Sequence, residues 1–280
     1  MPTIHPARAR LRLLLRRPVA EQSLAEAALY IAWEDQGVGN PLAALRELDG
    51  LAAAVRGRLP VGQPAREVVL ALNRFLFGEV GFRGNTWNYN DPANSFLDRV
   101  IERRAGLPIT LSVVYLEVGW RLGLPLSGAA LPGHFLVRYA DPEEDLFIDP
   151  FNRGRLWSRE ECLTQIATFY GAATPPLAAQ AFEPPPLRAV LARILRNLKN
   201  VYLERGAFAE ALAATDRIVL IEPGQAQEVR DRGLLRARLN QLNGALEDLE
   251  RYARMAPRAA DLTQIRQQAR TIAERAAKGN

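Results

Sequence analysis

Apolar residues recur at helical spacing through most of the first hundred positions. Ser23, with Glu26 three residues on, has the form of a capping box, and LAEAALYIAWE behind it predicts a helix. A second helix follows Asn40-Pro41, with proline at the first helical position and Leu42, Leu45, Leu48 and Leu51 on one face. A third runs from about Pro64 to Val80 and groups Val68, Val69, Leu72, Phe75 and Leu76. Together they predict a helical cover over the C-terminal neighbour of these helices. The pattern stops at Gly81. GFRGNTWNYNDPAN (81–94) is dense in Gly, Asn and aromatics and reads as a long ordered loop, either functional or simply pinned to the core by Trp87 and Tyr89. Helix returns from Ala93 to Arg103, with Phe96, Leu97 and Val100 inward.

Gly106 breaks that helix and Pro108 starts another. ITLSVVYLEVGWRLG is apolar on most faces, which predicts a buried central helix closed by Leu124-Pro125. LSGAAL, HFLVRYA and DLFIDP then have the β-rich, turn-bounded look of strands of one antiparallel sheet, with a turn at Pro142-Glu143-Glu144. Arg153 to Tyr170 adds a short strand or turn and a helix capped by Ser158 with Glu161. The prolines of AATPPLAAQAFEPPP (172–186) exclude a regular element and predict an extended linker. Beyond it the chain repeats. Phe208, Ala211, Leu212 and Pro223 recur as Leu242, Ala245, Leu246 and Pro257, a period of 34 that is the tetratricopeptide signature. Two degenerate units over 187–257 and a capping helix to about Lys278 are expected. Such arrays present a groove to a partner, and one this short can instead pack on the first domain.

Composition changes this picture little. In 280 residues 48% are apolar and 24% charged, ordinary for a globular chain. The net charge of +5 raises nucleic acid as a partner, but the lysines are Lys199 and Lys278, and the arginines are interleaved with Asp and Glu rather than gathered on one stripe. Nucleic-acid binding is therefore not expected. One cysteine, Cys162, excludes an internal disulfide, and with two histidines it argues against a zinc site; no metal or cofactor is expected, and a reducing cytoplasm fits. Arg8, Arg10 and Arg12 before Leu13-Leu14-Leu15 have the beginnings of a signal peptide, but Arg16-Arg17-Pro18 closes the apolar run too early. No run reaches the length of a membrane span.

RRAGLPITL, then RLGLP, PGHFLVRY and FIDPFNRG, preceded by FRGN and NDPANSFLDRVIERR, resembles the SirB-type branch of the transglutaminase-like superfamily, which joins such a core to C-terminal tetratricopeptide repeats. The resemblance extends over roughly Leu24 to Ala256 and implies an α+β fold: a transglutaminase/papain-like core, with its central helix against a small antiparallel sheet, under an N-terminal helical cover and followed by a helical repeat array. It also implies a mechanism with Cys at the start of the central helix, His on the second strand and Asp on the third. Here a helix N-terminus stabilises the thiolate and the carboxylate orients the imidazole. His134 and Asp149 match the second and third positions. The cysteine position falls on Pro108, which has no nucleophile, and Cys162 lies outside the helix. Thr110 and Ser112, in the first turns of that helix, are the candidate replacements, or they bond to backbone as such residues commonly do.

The boundaries read from the sequence are a basic tail or irregular turn at 1–20, cover plus core at 21–171, linker at 172–186 and repeats at 187–280. The expected function is that of a catalytically degenerate protein binding a protein or peptide partner through its cleft, its repeat groove or both. The alternative is an amidase, peptidase or acyltransferase using Thr110 or Ser112 with His134 and Asp149. Asn94, Arg103, Arg104 and Tyr115 are candidates for polar contacts in the cleft, or else serve as caps, surface charge and core. The oligomeric state is not legible.

Overall fold

The computed structural model describes residues 5–59, 62–141, 145–170 and 181–278. The chain divides into two compact units, 1–190 and 191–280, a division that falls within helix Leu187–Glu204.

In the first unit α1 (Pro6–Leu14) packs on α2 (Leu24–Gln36). Residues 6–14 are thus a helix, with Ala7, Leu11 and Leu14 buried at its seam, in place of the tail or irregular turn expected from the basic, proline-punctuated sequence. Ser23 Oγ accepts from Glu26 N at the start of α2. Asn40 Oδ1 accepts from Ala43 N at the start of α3 (Pro41–Arg56). On α3, Leu48 and Leu51 turn inward, whereas Leu42 stays exposed. Next comes α4 (Ala65–Asn73), which continues as a π-helical turn over Arg74–Glu79. Two-residue strands β1 (Arg83–Gly84) and β2 (Ala105–Gly106) pair in parallel. Between them lie a 3-10 turn, Pro92–Ser95, and α5 (Leu97–Arg103).

The central helix α6 (Pro108–Arg121) is buried from Pro108 to Gly119 and packs on α2, α3, α5 and the sheet. That burial follows from its sequence, which has no polar face to give to water. The sheet is an antiparallel meander of β3 (Leu126–Ala129), β4 (Leu136–Tyr139), β5 (Leu146–Asp149) and β6 (Arg155–Trp157), in that spatial order. Its register sets Val137 opposite Ile148 and Phe147 opposite Trp157. Because side chains alternate, Leu136, Phe147 and Trp157 share one face and Val137, Ile148 and Leu126 the other. Helix α7 (Arg159–Tyr170) covers the first face: Cys162 and Ile166 join Ala129, Leu136 and Phe147 in one apolar cluster. Ser158 and Glu161 cap α7 reciprocally, at 2.7 and 3.2 Å. Much of the expected linker lies outside the described residues. Ala181 and Phe182, within its bounds, are buried in the α7 cluster, with the Phe182 ring 5.3 Å from that of Phe147.

In the second unit helices Phe208–Ile221 and Leu242–Met255 begin and end at the same 34-residue offset, with Ala226–Arg238 between them and Leu262–Lys278 after. Ala211 and Ala245 are both fully buried, as small residues at a helix crossing must be. Gly233 serves the same purpose, since a Cβ there would stand 2.9 Å from the side chain of Leu249. Charges hold this unit too: Asp248, 2% exposed, takes Arg232 at 2.5 and 2.8 Å and Arg236 at 2.8 Å.

Candidate functional site

Asp149 ends β5, and the chain turns at once through Pro150 into the 149–154 turn. Extending the β4–β5 register would set Asp149 opposite Leu136, so that His134, two residues earlier, leans from the same side. The two meet. His134 Nε2 lies 2.8 Å from Asp149 Oδ2, the carboxylate fully buried and the imidazole 14% exposed. The His134 ring stacks on Trp157, centroids 5.8 Å apart and planes 26° apart. Asp149 is satisfied on both oxygens: Oδ1 accepts from the backbone N–H groups of Phe151 and Asn152 at 3.1 and 3.2 Å, and Oδ2 also from Asn152 Nδ2 at 2.8 Å. Burial works to raise its pKa, but the bonds from His134 and Asn152 outweigh it and hold the carboxyl below the usual range. In a neutral imidazole whose Nε2–H donates to Asp149, Nδ1 is the acceptor, the state a general base requires.

The hydroxyls of α6 are engaged elsewhere. Thr110 Oγ1 donates to Asn94 O at 2.8 Å and accepts from Leu107 N at 3.0 Å. Ser112 Oγ bonds Pro108 O at 2.8 Å and Phe135 O at 3.2 Å. Phe135 and His134 point to opposite sides of the strand, Phe135 against Gly128 and His134 onto Trp157. Pro108 is the first residue of α6 and buried. Cys162 is buried on α7, and burial, with Glu161 adding to it, pushes its thiol up to about 12.

The remaining candidates are dispersed. Asn94, 1% exposed, is the hub of the 85–95 loop: its Nδ2 donates to Asn88 O and Tyr89 O at 2.7 and 3.0 Å, and its Oδ1 accepts from Asn85 at 2.8 Å. Arg103 pairs with Asp91 at 2.9 Å on the surface, and Arg104, in the left-handed region at φ 54°, pairs with Glu47 and lies over the Phe82 ring. Tyr115 is buried and stacks on Phe77 at 6.0 Å, and burial pushes its phenol well up.

Three participants were not read from the sequence. Trp157, outside the quoted motifs, and Asn152, inside FIDPFNRG but given no role there, hold the His–Asp pair. Glu117, in the middle of α6 and nearly buried, accepts from Ala25 N at 2.7 Å and so caps α2 from 92 residues away. No local pattern announces such a contact. Trp87 is 98% exposed at the tip of its loop, so it pins nothing, whereas Tyr89 does pack, edge-on to Phe151 at 6.1 Å.

The pattern of the Transglutaminase-like superfamily matches residues 43–196, and that of the Tetratricopeptide repeat matches residues 198–270. A UPF0162 protein of Xylella fastidiosa is 42% identical over 198 residues, 70% of each chain. A second, of Pseudomonas aeruginosa, is 32% identical over 246 residues, 88% of each chain. Mouse F-box only protein 21 is 29% identical over 189 residues, 62% of this chain and 28% of that longer protein. With its central helix, its four-stranded meander and its 34-residue helical repeats, the chain belongs to the transglutaminase-like superfamily, in the SirB-type (UPF0162) branch that carries C-terminal tetratricopeptide repeats.

Proposed function

We propose that this protein is a catalytically degenerate transglutaminase-like protein that binds a protein or peptide partner. One observation carries the reading: α6 begins with Pro108, and the two hydroxyls of its first turns are spent on backbone carbonyls while His134 and Asp149 stay paired. An oriented imidazole without a nucleophile can hold structure or contact a ligand, but it cannot form an acyl intermediate. Acyl transfer by Thr110 or Ser112 would need that hydroxyl to leave its carbonyl and turn to Nδ1. Thr110 Oγ1 is also the acceptor for Leu107 N, so moving it would orphan a buried donor. The repeat array points the same way, because its stacked helix pairs present a surface rather than a reaction centre. Two further findings fit a cytoplasmic protein: Cys162 is the single, buried cysteine, and among the described residues no helix is long and apolar enough to cross a membrane.

The test is intact-mass analysis of the full chain after incubation with a fluorophosphonate, which labels activated hydroxyls, and with a peptide vinyl sulfone, which labels activated thiols. No mass increment is expected. An adduct on Thr110 or Ser112 that His134→Ala abolishes would establish a hydrolase or transferase and overturn the reading.

A further inference from the structure

Beside edge strand β6 lies a cleft of about 620 Å³ whose other wall is the end of α4 and its π-helical turn. Its rim is cationic. Arg66 and Arg74 stand on one side and Arg153 and Arg155 on the other, with no carboxylate among the lining residues. Arg155 is occupied by Glu161 at 2.7 Å. Arg74 and Arg153 are exposed and have no ion-pair partner among the described residues. Two guanidinium groups with no ion-pair partner among the described residues, lining one cleft that holds no carboxylate, are a local excess of charge. The floor is apolar, built by Leu70, Phe77 and Leu156.

Arg153 adds a second observation. It holds φ at 54°, a left-handed conformation that is unfavourable for an arginine, and Gly154 beside it, at φ 76°, is fixed because a Cβ would meet Asn73 at 2.4 Å. Asn73 Nδ2 donates to Gly154 O at 2.7 Å, which locks the turn to α4. Strain of this kind, held by its surroundings, is a reason to look for a ligand.

We propose that this cleft holds an extended acidic peptide segment of a protein partner, its carboxylates on Arg74 and Arg153 and an apolar side chain over Leu70, Phe77 and Leu156. Guanidinium groups match carboxylates in two-pronged geometry. The apolar floor and the flanking edge strand favour a peptide over a phosphate backbone, which has neither side chains for the floor nor N–H donors for the strand. The assignment rests on the partner-binding reading above and names the chemistry of the partner.

The probe is a fluorescein-labelled nine-residue peptide of alternating Glu and Leu, with the full chain titrated by fluorescence anisotropy at low and at moderate salt. Saturable binding that weakens with salt is expected, with a Lys–Leu peptide of the same length not binding. Arg74→Ala and Arg153→Gly should each weaken it roughly tenfold. Arg153→Gly also relieves the strained φ, so its thermal midpoint should not fall, which separates lost binding from lost fold. An unchanged affinity in both variants, or no binding by the wild type, overturns the assignment. So does tighter binding of a single-stranded oligonucleotide of equal charge that displaces the peptide, which would make the cleft a polyphosphate site. A failure here with no covalent adduct in the mass experiment removes this cleft and leaves the non-catalytic reading in place.

Discussion

Replacing Asp149 by alanine takes the acceptor from four donors at once: His134 Nε2, Asn152 Nδ2 and the backbone N–H groups of Phe151 and Asn152. The two side-chain donors belong to residues with some access to water and can rehydrate. The two backbone donors are part-buried in the turn, and each costs about 1–3 kcal/mol when left unmatched. Removing a buried charge gives back part of this, because burial is the largest influence acting against the ionised carboxylate. The expected loss is about 2–4 kcal/mol. His134→Ala removes one of the four bonds and the stack on Trp157 while leaving Asp149 three donors, so about 1–2 kcal/mol is expected. All four tryptophans, Trp33, Trp87, Trp120 and Trp157, lie in the first unit, so urea unfolding followed by tryptophan fluorescence reads that unit alone. The sign with pH is fixed by the direction of the shift. Asp149 is held below the usual carboxyl range, so its contribution is present above the unfolded value of about 3.9 and is lost as pH falls through the lower folded value. The gap between wild type and Asp149→Asn should therefore close on acidification below about pH 4. A cost below about 1 kcal/mol for Asp149→Ala, or an equal cost for His134→Ala, would refute a carboxylate that organises the turn.

Three further outcomes are expected. Cys162, fully buried with its thiol pushed up to about 12, should resist iodoacetamide at pH 8 in the native chain and react in urea, as read by peptide mass. Asn94→Ala removes three side-chain bonds inside the 85–95 loop and should cost about 1–3 kcal/mol, with faster amide exchange at residues 85–95 and little change in α2. In the second unit Asp248→Ala leaves Arg232 and Arg236 without their shared carboxylate. Both are partly exposed and keep a longer contact to Asp216, so about 2–3 kcal/mol is expected, below the full cost of breaking a buried pair, in thermal unfolding followed by far-UV circular dichroism.

What was legible in the sequence was what local physics sets. Ser23 and Ser158 cap the helices they were expected to cap, Pro41 opens α3 where it was expected to, and the 34-residue period returns as the same offset at both ends of two helices. The family resemblance implied His134 and Asp149 on the second and third strands, and the antiparallel register brings them together. What stayed hidden was non-local. Residues 6–14 looked like a basic tail because their buried seam of Ala7, Leu11 and Leu14 is narrow and the arginines around it dominate the composition. Phe182 sits among prolines, and only the face of β5 shows that it has a place to pack. Glu117 on an apolar helix has no local partner, and its role depends on where α2 begins. The arginine cleft was invisible for the same reason, since Arg74 and Arg153 are 79 positions apart and come to line one cleft only through a turn whose shape the sequence does not specify.

That turn joins the two sites and gives them a measurable coupling. Asp149 gathers the N–H groups of Phe151 and Asn152 on its carboxylate and the N–H of Gly154 on its carbonyl at 2.8 Å, while Arg153, between them, faces outward into the cleft. Asp149→Asn therefore has two opposed effects on the acidic peptide. Removing a negative charge makes the cleft more cationic and favours binding, but the charge is buried, already paired with His134, and partly screened. Loosening the turn lets Arg153 relax from φ 54° to ordinary backbone and withdraw from the cleft, which opposes binding. Because a strained backbone is held only by its surroundings, the second effect should win, with a loss of about 0.5–1 kcal/mol of binding energy in the same anisotropy titration. In the Arg153→Gly background that loss should vanish, because the guanidinium it acts through is gone. Tighter binding by Asp149→Asn, or an equal loss in both backgrounds, would mean that the carboxylate acts on the cleft through its field or not at all, and that the 149–154 turn keeps its shape without it.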